Sequence, residues 1–486
     1  MSNKRFIALC CVFIITLYTN SLTGDFLFDD LFLVRDNSHL ESFSQFLSYF
    51  TSDTGEFWRP VRLASFYLDT TLFGKSTIGY HISNIFYYTL FCILAYFFCQ
   101  NLFNNRKLAI IVTLLFIAHP LHTEGVAYIS GRKDILGGLF SFASLISFLR
   151  YTQQDSKKHL LLTILFFLLA IGAKEIYAIL PLLFLAIEYY QKGTIRKHLL
   201  FYGVWFTGAV LFVLFIILIR NRVFFDYLHV IPVYGNNQGV NFPTAVKIGG
   251  YIFFLSFFPF PLSADYTFNA IKRINLLDPS FFISGGVLML CALGAYYFRR
   301  KQKEVAFGLV WMLICLLPVS QIVPYSEIIS ERSLIFLSFG ACLLAGVALM
   351  NLPKPYTVGV LVVILVLFSV TTIRRNQDWH DELSLWGATV KQHSDCARAR
   401  YNLGIALARH KQFQAAEKEF RASLAINPPE LVTVPDYSYD ALVNLGNVYV
   451  CLGDFSRAKK MYQGVLKYDR DNRLALKNLR IINRLE

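Results

Sequence analysis

The strongest constraint on this chain is a succession of long apolar runs separated by short basic loops. Candidate runs cover 6–23, 82–100, 108–127, 135–151, 160–176, 177–190, 199–220, 281–298, 304–322, 333–350 and 356–373. A helix that crosses a bilayer needs about 20 mostly apolar residues. In hydrocarbon every backbone N–H and C=O must be satisfied within the protein, so runs of this kind fold as helices. The expectation is an all-α polytopic bundle of about 11 transmembrane helices. Hydrophobic residues make up 55% of the 486 and charged ones 16%, which excludes an ordinary soluble domain. The first run follows "NKR" as a signal peptide would, but no small-residue cleavage site follows, and it reads as a retained anchor. The nine cysteines show neither paired nor metal-ligand spacing and read as packing residues.

Basic residues in the short loops set the orientation. Arg106-Lys107, Lys157-Lys158, Lys192 with Arg196-Lys197, Arg299-Arg300-Lys301 with Lys303, and Lys354 fall on one side if the N-terminus is cytoplasmic. This requires the apolar run 248–262 not to cross. Residues 221–280 are therefore expected to form one large outer loop with a re-entrant or interfacial piece, broken at Pro259 and Pro261. The net charge of +14 comes largely from these loops, and no nucleic-acid patch is visible in it.

After residue 373 the chain turns polar. Ala416, Phe420 and Pro428 follow Leu403-Gly404 at the offsets of a tetratricopeptide unit, and Tyr449, Ala458 and Tyr462 follow Leu445-Gly446 likewise. The expected organisation is a membrane domain over 1–375, with a first outer loop at 24–80. A linker and capping helix over 376–395 and a repeat domain over 396–486 complete it. Glycine and alanine let paired helices approach, while Phe420 and Tyr462 fill the space between them. The helices at 379–394 and 471–485 serve as caps. An odd number of spans places the repeats outside the cytoplasm.

In this topology Asp29-Asp30, Arg59, His81, His119, His122, Glu124, Arg132, Asp134, Lys174-Glu175, Asp265-Tyr266 and Glu331-Arg332 all gather at the outer boundary. Ionisable groups at a membrane edge are costly and commonly functional. Singly, each also has a structural reading as a loop anchor, a snorkelling side chain or a local ion pair. The middles of the helices are empty of charge, unlike a transporter's.

The strings "FLFDDLFLVRDN", "FWRPVRLASFYLD", "GYHISN", "HPLHTEGVAYISGRKDILGGLF", "GAKE", "PLSADY", "SERSLIFLS" and "RNQDWHDELSLW", leading into "RARYNLGIAL", occur in family order. Over nearly the whole chain they resemble the transmembrane and tetratricopeptide-containing O-mannosyltransferases and their bacterial relatives. The resemblance implies a GT-C glycosyltransferase fold and a polyprenyl-phosphate sugar as donor. It also implies a hydroxyl acceptor, Ser/Thr of protein, met outside the cytoplasm. Members commonly carry "ERYLYLP", whereas here Glu331-Arg332 is followed by "SLIFLS", so the sugar is not carried over.

In such a transfer the acceptor hydroxyl loses its proton as it attacks the anomeric carbon, so a carboxylate serves as general base. The resemblance implies Asp29 in that role, with Asp30 or Glu124 orienting the acceptor or holding the base. The departing phosphate needs fixed cations, for which Arg132, Lys174, Arg332 and Arg59 are candidates. His81, His122, Glu175, Asp265 and Glu331 are supporting residues. A single displacement inverts the anomeric centre. Asp29, Asp30 and Glu124, near His119 and His122, are also a ligand set for Mg²⁺ or Mn²⁺. Alternatively, the two histidines bond carbonyls freed by Pro120.

The repeats are expected to bind acceptor or partner. The expected location is a bacterial inner membrane with the repeats periplasmic, or alternatively the endoplasmic reticulum. Two other readings stand beside the enzyme: a membrane-anchored repeat scaffold and a lipid-linked saccharide transporter.

Overall fold

Local signals start several helices of this chain. Asn105 caps one helix by accepting from the Leu108 N–H, Asp278 caps another through the Ser280 N–H, and Asp381 a third through the Ser384 N–H. The computed structural model describes residues 2–51, 58–192, 207–208, 238–266, 270–322, 327–426 and 437–485. Among these the regular structure is helical throughout. The membrane part comprises α1 (Asn3–Tyr18), α2 (Phe43–Ser48), α3 (Pro60–Phe73), α4 (Thr77–Phe103), α5 (Arg106–Ala118), α6 (Thr123–Ala127), α7 (Arg132–Gln154), α8 (Lys157–Ala173) and α9 (Leu180–Lys192). It continues with α10 (Gln238–Phe257), α11 (Pro279–Phe298), α12 (Lys303–Leu316), α13 (Ile335–Met350) and α14 (Lys354–Asp378). The C-terminal part comprises α15 (Glu382–Gln392), α16 (Ala397–Arg409), α17 (Phe413–Ile426), α18 (Tyr437–Cys451), α19 (Phe455–Tyr468) and α20 (Arg473–Leu485).

Among the described residues, six helices are long and apolar enough to cross a membrane. A seventh is added if Arg106–Ala118 and Pro120–Ala127, bent by 54°, count as one span. The eleven runs expected from sequence are therefore not eleven full-length helices. The runs at 160–176, 177–190 and 304–322 become helices of 17, 13 and 14 residues. Breaks shorten them: Lys174 is extended (φ −159°, ψ 133°) between α8 and α9, and Pro318 follows α12. The run at 199–220 lies outside the described residues except for 207–208. So does 221–237 of the expected outer loop. Beyond it, α10 packs against α11, with Ser284 and Leu288 at Gly250 and Gly249. The apolar piece is thus helical as far as Phe257 and packed on α11.

The bundle core is aromatic. Phe98, Phe142, Trp311, Phe336 and Phe339 are all nearly inaccessible to solvent and meet one another at ring centroid distances of 4.7–5.9 Å. The Trp311 indole N–H is satisfied by the Phe336 carbonyl at 2.8 Å. By contrast, α11 and α14 leave Phe282, Leu290, Val358 and Val363 exposed, as lipid-facing helices should.

The repeats follow the expected packing. A Cβ on Gly404 would meet the Phe420 ring at 2.7 Å, and one on Gly446 the Tyr462 ring at 2.6 Å. Only glycine allows these helix pairs to close. The caps form as α15 and α20, while Pro428 lies outside the described residues.

Candidate functional site

The segment between α1 and α3 is fixed by Asp30, the second aspartate of the acidic pair. Asp30 is fully buried, and its two oxygens accept from the Leu27 N–H (3.0 Å) and the Ser130 N–H (2.8 Å). Burial pushes its carboxyl up to about 7 against those two donors, which hold it down. The loop therefore closes on itself and on the turn that precedes α7. Phe28 takes φ 45° there, an uncommon backbone region for a bulky residue, and packs on Trp386.

Asp29 is placed differently. Its backbone N–H donates to the Tyr128 hydroxyl (3.1 Å) and its carbonyl accepts from the Leu33 N–H (2.8 Å). The side chain is half-buried, and no hydrogen bond or ion pair to its carboxylate occurs among the described residues. One aspartate is locked in place and its neighbour is held out with a free carboxylate.

The four cations expected to clamp a phosphate all sit at this end of the bundle, each with a carboxylate. Arg132 is fully buried. It pairs with Asp69 (2.5 Å) and donates to Asn84 Oδ1 (2.6 Å) and to the Tyr80 carbonyl (2.9 Å), tying α3, α4 and α7 together. Asn84 in turn donates to the Val126 and Tyr128 carbonyls. Arg59 makes a two-pronged bond to Glu175 (2.7 and 3.1 Å). Lys174 reaches Asp134 (2.6 Å) and the Ser333 hydroxyl (2.7 Å) because the chain is extended at that point. Arg332 pairs with Glu124, whose other oxygen accepts the Arg332 N–H (2.9 Å), and with Glu327 (2.7 Å). Burial works to raise the Glu327 carboxyl, but Arg332 and then Lys133 and Lys174 hold it at about 2.

The supporting residues divide into two groups. Glu331 accepts from the Ser263 N–H (2.6 Å), the Tyr266 hydroxyl (2.8 Å) and Arg375 (3.3 Å). Asp265 pairs with Arg398 of α16 (2.5 Å). His81 meets the Gly24 carbonyl (3.2 Å), and His122 sits between the Tyr88 hydroxyl (2.7 Å) and Ser338 (2.8 Å). His119 meets the Ser256 carbonyl (3.0 Å). Among the described residues no three His, Cys, Asp or Glu side chains group so as to hold a metal ion. Asp30 is bound to backbone N–H groups and Glu124 to Arg332, so that donor set does not fit a divalent cation.

Sequence reasoning passed over Lys133. It is 4% exposed and, among the described residues, makes no hydrogen bond or ion pair. It also missed Asp69 and Asn84, which engage Arg132, and Tyr128, which carries Asp29. Successive residues of a helix point about 100° apart. In the first turn of α7, Arg132 therefore faces Asp69 and Asp134 faces Lys174, and Lys133 takes a third direction. The string "GRKD" contained all three, but only the fold separates their faces.

The repeat domain closes over this end. Leu27, Ala127, Tyr128, Trp379, Leu385, Trp386, Cys396 and Ala399 form one buried cluster, and Tyr128 stacks on Trp379 at 5.1 Å. The Asp25 N–H donates to the His380 carbonyl (2.9 Å). The cap helix of the repeats thus rests on the loop that carries Asp29.

Family models described as tetratricopeptide repeat match residues 374–430 and 439–472. Protein O-mannosyl-transferase TMTC3 of Homo sapiens is 26% identical over 95% of this chain and 54% of its own length. Protein O-mannosyl-transferase F38B6.6 of Caenorhabditis elegans is 26% identical over 85% of this chain and 61% of its own length. Protein O-mannosyl-transferase TMTC1 of Homo sapiens is 32% identical over 28% of this chain and 17% of its own length. The chain spans about half the length of the TMTC3 relatives. No solved structure matches. The likeness to these O-mannosyl-transferases runs through both the membrane helices and the repeats of this chain.

Proposed function

We propose that this protein is an integral membrane glycosyltransferase. It moves a single sugar, mannose in keeping with its relatives' names, from a polyprenyl phosphate to a Ser or Thr hydroxyl of a protein outside the cytoplasm. The observation that carries this reading is the contrast between the paired aspartates. Asp30 is engaged on both oxygens, while Asp29 has no partner at its carboxylate and a backbone anchored through Tyr128 and Leu33. A general base must be held still and yet keep its lone pairs free for the substrate.

The acceptor hydroxyl gives its proton to Asp29 as its oxygen bonds to the anomeric carbon. The bond from that carbon to the phosphate oxygen breaks with its electron pair, which leaves on the phosphate, and the anomeric centre inverts. Because Asp30 and Glu124 are engaged elsewhere, each step is derived through protein side chains and none through a metal. The paired cations and carboxylates at this end of the bundle form a pre-set field, so little reorganisation is needed as charge shifts to the phosphate. The repeat domain, seated on the Asp29 loop through the Leu27–Trp386 cluster, would present the acceptor chain. A bacterial inner membrane with the repeats in the periplasm fits the basic loops.

The test uses purified full chain with labelled polyprenyl-phosphate sugars and candidate peptides. Asp29→Asn should abolish product while leaving insertion and thermal unfolding unchanged. Normal turnover by that variant would remove Asp29 as base.

A further inference from the structure

Arg59, Arg132, Lys133, Lys174 and Arg332 are five buried cations at one end of the bundle. Four of them have a carboxylate within 2.7 Å or closer. Lys133 alone has none among the described residues, although it is only 4% exposed. Its ammonium lies within electrostatic reach of Asp29 and Glu327, and of the like charges Arg59, Lys174 and Arg332. It also sits in the first turn of α7, where the helix dipole disfavours a cation and favours an anion. A charge that is desolvated, unpaired, crowded by like charges and at the wrong helix end is costly in every respect. Such a cost is met when an anionic ligand supplies the missing partner. The Nζ is not among the buried atoms that are both fully enclosed and without a partner, so it keeps a little accessible surface.

We infer that Lys133 is the residue that binds the phosphate of the lipid-borne donor, opposite the free Asp29 carboxylate. This rests on the transferase reading above and assigns its phosphate subsite. The role passes from Arg59, Arg132, Lys174 and Arg332, whose buried pairs would have to break to take a phosphate. Beside the phosphate, the Lys133 ammonium donates to the oxygen that receives the electrons of the breaking anomeric bond. Arg332 and Lys174, held by their own carboxylates, repel that ammonium, while Asp29 attracts it. The same chemistry would hold a phospholipid headgroup, so the test separates the two.

The full chain is placed in phosphatidylcholine nanodiscs, with and without phosphatidylglycerol, and sugar-free undecaprenyl phosphate is titrated in. Wild type should bind the probe, Lys133→Gln should bind it about tenfold or more weakly, and Lys133→Arg should stay close to wild type. Asp29→Asn should bind as wild type does. Without probe, Lys133→Gln should melt no lower than wild type, since it removes an unpaired buried charge, whereas a structural lysine would be missed. Wild-type affinity in Lys133→Gln overturns the assignment, as does a lowered melting point not rescued by arginine. Equal competition by phosphatidylglycerol overturns the donor subsite and leaves only a headgroup contact. A wild type that binds the probe through Lys133 yet forms no product overturns the transferase reading and leaves this site standing.

Discussion

Substituting the two neighbouring aspartates separately should give opposite signatures. The Asp29 carboxylate makes no hydrogen bond or ion pair among the described residues, so Asp29→Asn should change stability by no more than about 0.5 kcal/mol. Its cost should appear in turnover, where loss of a general base removes about 10²–10⁴-fold. Asp30→Asn acts on the fold. A carboxylate accepts from both Leu27 and Ser130, but an amide accepts through one oxygen and turns its NH₂ toward the other donor, at a cost of about 1–3 kcal/mol. The pH dependence is the sharper test. The Asp30 carboxyl stands at about 7 in the folded chain against 3.8 as its ordinary value. Below about pH 4 both states are protonated and the group is neutral in its effect. Between there and about 7 the folded state keeps a proton that the unfolded state has released, so stability falls as pH rises. Across pH 5 to 8 the wild type should lose on the order of 2–3 kcal/mol that Asp30→Asn does not lose. Thermal unfolding of both proteins in one detergent over that range gives the difference directly. Parallel melting curves at every pH would refute the buried, proton-retaining carboxyl, and with it the account of how the loop is pinned.

Other perturbations test the frame of buried ion pairs. Glu124→Ala leaves the Arg332 guanidinium and N–H short of their main acceptor and should destabilise by about 3–5 kcal/mol. Glu124→Gln should fall between it and wild type, and a wild-type melting temperature for the alanine variant would count against a buried pair. Asp69→Ala strands the fully buried Arg132 at a similar cost of about 3–5 kcal/mol, which should be detected as lost monodisperse protein. Arg398→Ala cuts the bond to Asp265 and should raise hydrogen exchange in α15 and α16 while the membrane helices keep their protection. Unchanged exchange there would show that the Trp386 cluster alone seats the repeats.

How far this arrangement could be read from sequence depends on which interactions are local. Helix runs, the repeat offsets and the Gly404–Phe420 and Gly446–Tyr462 contacts follow periodicities that a single chain displays. Residues at the outer boundary could also be gathered by counting spans, and Asp29, Glu124, Arg332 and Glu331 do lie at one end of the bundle. Their pairing could not be read. Arg132 finds Asp69 across 63 positions, Lys174 finds Asp134 across 40 and Arg332 finds Glu124 across 208. Nothing in residue type says which cation is neutralised and which is left over. Arginine looked like the phosphate residue because its planar fork suits such oxygens, but the same fork makes it a good buried strut, and that is the use the fold makes of Arg132. What remains open to a ligand is settled by subtraction, once every strong partner inside the protein has been found. Asp29 and Lys133 are what the subtraction leaves, within electrostatic reach of each other and opposite in charge, so substituting Lys133 should alter donor binding, and substituting Asp29 turnover, far more than folding.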